Sequence, residues 1–147
     1  MPLSLHEISI GVMLPKLRML STLLDKAAAH AEADTLAEAR LAPDMYPLSG
    51  QIQRVSDAAK FGAARLAGLT PPPFEDTETT LAQLQERLAR TIAYLESVGP
   101  DQIDGREEET VILPLRDRKV EFTGRSYVLT MVLPNFYFHV VTAYDIL

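Results

Sequence analysis

Leu81, Leu84, Leu88, Ile92 and Leu95 recur at intervals of three and four residues. That spacing lays an apolar stripe along one side of an α-helix. A helix striped in this way must cover the stripe with partners, and the chain carries the pattern in four places. Leu5, Ile8, Val12, Leu17, Leu20, Leu24 and Ala27 predict a first helix from about Ser4 to about Ala31. Ser4 and Glu7 have the spacing of a capping box, and Pro15 should bend this helix. Leu48, Ile52, Val55, Ala59, Gly62, Leu66 and Leu69 predict a second, entered through Asp44-Met45-Tyr46-Pro47 and ending near Ala67, with Gly68 as its C-cap. Asp76 and Thr77 are candidate caps for the third, which Gly99-Pro100 ends, with Glu86 and Arg90 spaced to pair along it. The fourth is Ser126 to Leu147, kinked or restarted at Pro134.

The connections follow their own chemistry. A helical turn is expected around Thr35 to Arg40, and Thr70-Pro71-Pro72-Pro73 makes a stiff linker. Thr110 to Leu115 and Val120 to Thr123 flank Arg116-Asp117-Arg118-Lys119 and read as a β-hairpin. Pro114 argues for a free edge on its strand. Val111, Leu113 and Leu115 share a face that can cover one end of the helices. The expected fold is all-α: a four-helix bundle with a small β-hairpin before the last helix, one domain over residues 1–147.

Composition narrows the function classes. With 47% hydrophobic residues the chain can build a core. It has no cysteine, so disulfides, thiolate metal sites and a cysteine nucleophile are excluded. A net charge of −6 without a basic run argues against nucleic acid and against an anionic membrane surface. No transmembrane span and no secretory signal are expected, which makes the cytoplasm the expected location.

The three histidines are His6, His30 and His139. Along one helix His6 and His30 would stand roughly 36 Å apart, so a site of three histidines is not available within one chain. Asn135 and His139 are i,i+4 neighbours on the last helix. Asp57 sits among small residues of the second helix, one turn after Gln53. If these helices pack together, Asp57, Gln53, Asn135 and His139 form one polar pocket. A plainer account exists for each. A single histidine on an apolar helix is commonly a hydrogen-bonded core residue, and Asp57 can pair with Lys60. Tyr127, Tyr137, Tyr144, Phe136 and Phe138 suit packing or an interface. Glycine-rich phosphate loops, a G-x-S-x-G elbow and H-E-x-x-H are all missing from the sequence.

Three stretches carry a family resemblance: Leu41-Ala-Pro-Asp-Met-Tyr-Pro-Leu48, Phe74-Glu-Asp-Thr-Glu-Thr-Thr80, and Leu133-Pro-Asn-Phe-Tyr-Phe-His139 with Thr142-Ala-Tyr144. Together they resemble a bacterial family of unknown function within the DinB/YfiT-like superfamily of four-helix bundles, over nearly the whole chain. That resemblance implies a DinB-like fold, a homodimer, and kinship with metal-dependent enzymes and thiol-dependent transferases. It also implies a divalent-metal site of three histidines, one on the second helix and two in an H-x-x-x-H pair on the last. His139 matches the first of that pair, Ala143 stands where the second would be, and the second helix offers Asp57-Ala58-Ala59 without a histidine. The implied metal site is therefore degenerate, with His139 as its remaining ligand. One expectation is a hydrolase or transferase with Asp57 and His139 as its reactive pair and Asn135 and Tyr144 orienting. The other is a non-catalytic bundle that binds a small molecule or dimerises through its aromatic last helix.

Overall fold

Ser4 caps the first helix, its hydroxyl oxygen accepting from the Glu7 N–H at 3.1 Å. In the computed structural model, which describes residues 2–30 and 32–147, this helix is α1, Leu5–Ile8. Helix α2, Ile10–Ala28, continues the stripe with Ile10, Met13, Leu17, Leu20 and Leu24 buried. The break lies at Ser9, not at Pro15, which sits inside α2. Ser9 donates its hydroxyl to the Leu5 carbonyl at 2.6 Å, a local bond that competes with the helical ladder. Pro15 is tolerated because the carbonyl it leaves unpaired belongs to Gly11, which is exposed. Ala31, the expected end of this helix, lies outside the described residues.

A single turn, α3 (Ala33–Leu36), leads to α4, Leu48–Ala67. Pro47 is the residue before α4, and Gly68 closes it in the left-handed region at φ 69°. Leu69 falls beyond that cap, which is why it is exposed although the stripe pointed to it. Helix α5, Leu81–Ser97, is capped by Thr80 and Gln83 in a reciprocal box. Asp76 and Thr77 are therefore not its caps, and Arg90 lies over the Phe74 ring at 4.1 Å. Gly99 caps a short α6, Pro100–Ile103.

Strands β1 (Thr110–Pro114) and β2 (Lys119–Thr123) form the antiparallel hairpin, with Thr110 opposite Thr123 and Pro114 opposite Lys119. Val111 reaches the core, Leu113 is half-buried, and Leu115, past the strand end, is exposed. Thr123 and Ser126 cap each other at α7, Gly124–Tyr127. A π-helical turn follows, Val128–Val132, and then α8, Leu133–Ile146. The expected disturbance at Pro134 takes the form of that wide turn. Pro134 cannot donate to the carbonyl four residues back, and the Leu133 N–H has already reached five back, to Val128.

Helix α4 packs on α5 and α8, and α2 packs on α5. Gly62 lets the π-turn come close: a Cβ there would lie 2.8 Å from Val132 Cγ1. Two charged side chains, Lys60 and Arg87, lie inside. Arg87 of α5 donates to Asp57 Oδ1 at 2.9 Å, Asp76 Oδ1 at 2.8 Å, Glu78 Oε1 at 3.0 Å and the Glu75 carbonyl at 3.1 Å. Phe74, from the same loop, stacks against Lys60 at 4.4 Å as well as Arg90. Arg87→Met keeps the volume but leaves these carboxylates facing one another. We expect it to lower unfolding free energy by about 3–5 kcal/mol in a denaturant titration. A loss below about 1 kcal/mol, the level of a surface pair, would show that the cluster is not essential.

Candidate functional site

The last helical run, from α7 through the π-turn to α8, lies antiparallel to α4, as three contacts along them show. Gln51 meets His139, Gly62 meets Val132, and Arg65 meets Tyr127. Small residues bring the backbones close at Gly62, and the helices part on one side of it. The cleft left there has a volume of about 230 Å³. Arg54, Asp57, Ala58, Phe61 and Arg65 line it from α4. Tyr127, Met131, Val132, Asn135 and His139 line it from the last helix, and Leu113 from the hairpin. A second hollow of about 520 Å³ lies on the far side of His139, between Phe138 and the segment Arg40 to Tyr46. His139 is the wall the two share.

The imidazole is held by a short relay. Gln51 is buried and donates its amide Nε2 to the Tyr46 carbonyl at 3.2 Å. Its Oε1 therefore faces His139 Nδ1, 2.7 Å away. An amide oxygen only accepts, so Nδ1 carries the proton and Nε2 keeps its lone pair. No hydrogen bond to Nε2 forms among the described residues. Burial lowers the pKa of His139 below its ordinary value, and the nearby Arg54 cation lowers it further. The ring is thus held as a neutral base whose Nε2 has no protein partner among the described residues.

The other expected site residues divide. Asp57 and Asn135 do line the cleft with His139. Asp57, however, gives its Oδ1 to Arg87, and Lys60 Nζ stands 3.7 Å from the same oxygen. Burial pushes its carboxyl pKa up, while Arg87 and Lys60 pull it down. Asn135 spends its amide on the Met131 carbonyl at 2.9 Å. Gln53 does not face His139; it donates to Glu78 at 3.1 Å. Tyr144 lies in a different hollow with His30, Leu23 and Lys26, because it projects from the opposite side of α8. Gln51, rather than Gln53, is the partner of the histidine. Its signal was present in the sequence, three residues after Leu48 and four before Val55, on the apolar seam itself.

The donor set does not fit the three-histidine metal site that the resemblance implies. His6 stands at the other end of the chain's packing, where its N–H meets Asp104, and His30 lies in the hollow of Tyr144. Ala143 is fully buried and offers no donor atom. Asp57 is committed to two cations. Among the described residues no group of three or more histidine, aspartate or glutamate side chains is arranged to hold a metal ion, and no helix is long and apolar enough to cross a membrane.

Comparison with known proteins agrees with this architecture. Residues 5–147 match the family described as a domain of unknown function, DUF1993. A crystal structure described as a DinB family member protein from Shewanella denitrificans, at 1.83 Å resolution, is similar at a TM-score of 0.87. It shares 35% sequence identity over 97% of this chain and 83% of that one. No curated protein matches.

The state of His139 is directly measurable. In an NMR pH titration of its ring protons we expect a midpoint below 6.5. In Arg54→Gln it should rise only in part, since burial remains the larger cause. A midpoint at or above 6.5 in the unaltered protein would contradict the effect of burial and Arg54 on the ring.

Proposed function

Since this chain belongs to the DUF1993 family and has the DinB-like fold, we propose that it binds a small molecule in the cleft between α4 and the last helix. His139 receives a proton or a hydrogen bond from that molecule through Nε2. The observation that carries this reading is the relay from the Tyr46 carbonyl through Gln51 to Nδ1. Nε2 is an acceptor on the cleft wall without a partner among the described residues, and a ligand's N–H or O–H can meet it there. A neutral imidazole of fixed tautomer is also the group that general-base chemistry uses near neutral pH. Transfer or hydrolysis begun by deprotonating a bound nucleophile is the reaction class this arrangement supports. In it His139 is the base, and Asp57 acts only through Arg87 as a positioning residue.

The plug variant Ala58→Trp tests the cleft, because Ala58 is half-buried and lies midway along it. We expect fragments found by ligand-observed NMR to bind the unaltered protein and to lose binding in Ala58→Trp, with its thermal midpoint retained. Fragments that bind both proteins equally would place the site elsewhere.

A second reading, self-association, is supported by the outer face of α8. Phe138 (55%), Val141 (52%) and Tyr144 (56%) are exposed there, and their spacing puts them on one side of the helix. Sedimentation analysis should give a dimer that Val141→Glu converts to a monomer. A monomer before the substitution would remove this reading.

A further inference from the structure

Among the described residues Arg54, which lines the cleft, makes no hydrogen bond. Its guanidinium lies 4.3 Å above the Tyr46 ring, and its one ion pair is a loose 3.8 Å approach to the half-exposed Asp76. Arg65, at the far end, is without a carboxylate among the described residues, but it donates to Tyr127 Oη at 3.0 Å and rests on Phe61 at 4.8 Å. Asp57 is answered by Arg87 and Lys60. In a chain of net charge −6 the unanswered charge of this cleft is therefore positive. Tyr46 also orders Arg54 before any ligand arrives. Tyr46 itself packs closely on α4 because Gly50 has no side chain, and a Cβ there would lie 2.9 Å from Tyr46 Cβ. A stacked, pre-oriented guanidinium loses less freedom on binding, and its fork matches a carboxylate.

Between its two ends the cleft is walled mainly by apolar side chains. Beyond Arg54, Ala58 and Phe61 face Met131, and Arg65 with Tyr127 closes the far end. Arg54 and Arg65 are eleven positions apart, roughly 16 Å along α4. That leaves room for one short apolar body. We infer that the ligand of this cleft is a small organic acid, its carboxylate on Arg54 and its apolar body along Phe61 and Met131. The inference rests on the small-molecule reading of the cleft and names its ligand class. The acid group then stands at the His139 end, and the atoms next to it are those that Nε2 can reach.

Matched pairs test the charge alone. Phenylacetate and phenylacetamide, with their longer chain homologues, are titrated into the unaltered protein, Arg54→Gln and Ala58→Trp by calorimetry and ligand-observed NMR. We expect the best acid to bind roughly tenfold or more tightly than its amide, as one charge-assisted bond allows. In Arg54→Gln that preference should vanish while the amide binds as before, which also shows the variant is folded. Acid and amide binding equally to the unaltered protein, and both lost in Ala58→Trp, would overturn the acid inference and leave the cleft standing. A preference that survives in Arg54→Gln would overturn it as well. If no member of either series bound, the small-molecule reading would fall and take this inference with it.

Discussion

Arg87 is where the bundle is joined. A guanidinium with no exposed surface needs partners for its charge, and here three carboxylates and a carbonyl meet its two terminal nitrogens, while Nε has none among the described residues. Those partners come from α4 and from the loop of residues 74–78, while Arg87 itself belongs to α5. The loop therefore cannot shift without unpairing a buried charge. Asp57 is held on its helix face by the same bond, and with it the floor of the cleft. The family stretch Phe74 to Thr80 acquires a physical meaning. Phe74 stacks on the cations, Asp76 and Glu78 bind Arg87, and Thr80 caps α5.

The helices were readable because burial imposes its period on the sequence. Leu81, Leu84, Leu88 and Leu95 are buried as their spacing requires, and the hairpin is found within a residue of its expected ends. What escaped was polar. Pattern reading treats arginine as an outward residue, yet Arg87 and Thr91 lie on the buried side of α5. Arg87 between Leu84 and Leu88, and Thr91 between Leu88 and Leu95, are the clue, and only the carboxylates around Arg87 and the Ser56 hydroxyl beside Thr91 make it intelligible. Caps were misplaced for a similar reason, since several residues near a helix start can cap it and tertiary partners decide which one is free. Asp76 has a better partner than a helix end, so Thr80 takes that role.

The site was half legible. Helical spacing brought Asn135 and His139 together and pointed to α4 as the facing helix. It pointed to Gln53, whereas Gln51, two positions earlier and so slightly more than a half-turn away, is the residue that meets His139. Spacing could not show that Tyr46, in the segment before α4, would serve twice. Its carbonyl fixes Gln51, and its ring carries Arg54. The stretches around Tyr46 and His139, remote in the chain, are thus one device in space. The same packing explains why Tyr144, five positions beyond His139, turns to another hollow.

The π-turn at Val128–Val132 has a consequence beyond easing Pro134. Each residue of an α-helix advances the side-chain direction by about 100°. A turn that takes in an additional residue therefore resets the angular phase of everything after it. Tyr127 before the turn and Asn135 and His139 after it all face one cleft, although a uniform helix would not keep them in line. The turn works as a phase corrector: it lets one helix present its two halves to the same surface of α4.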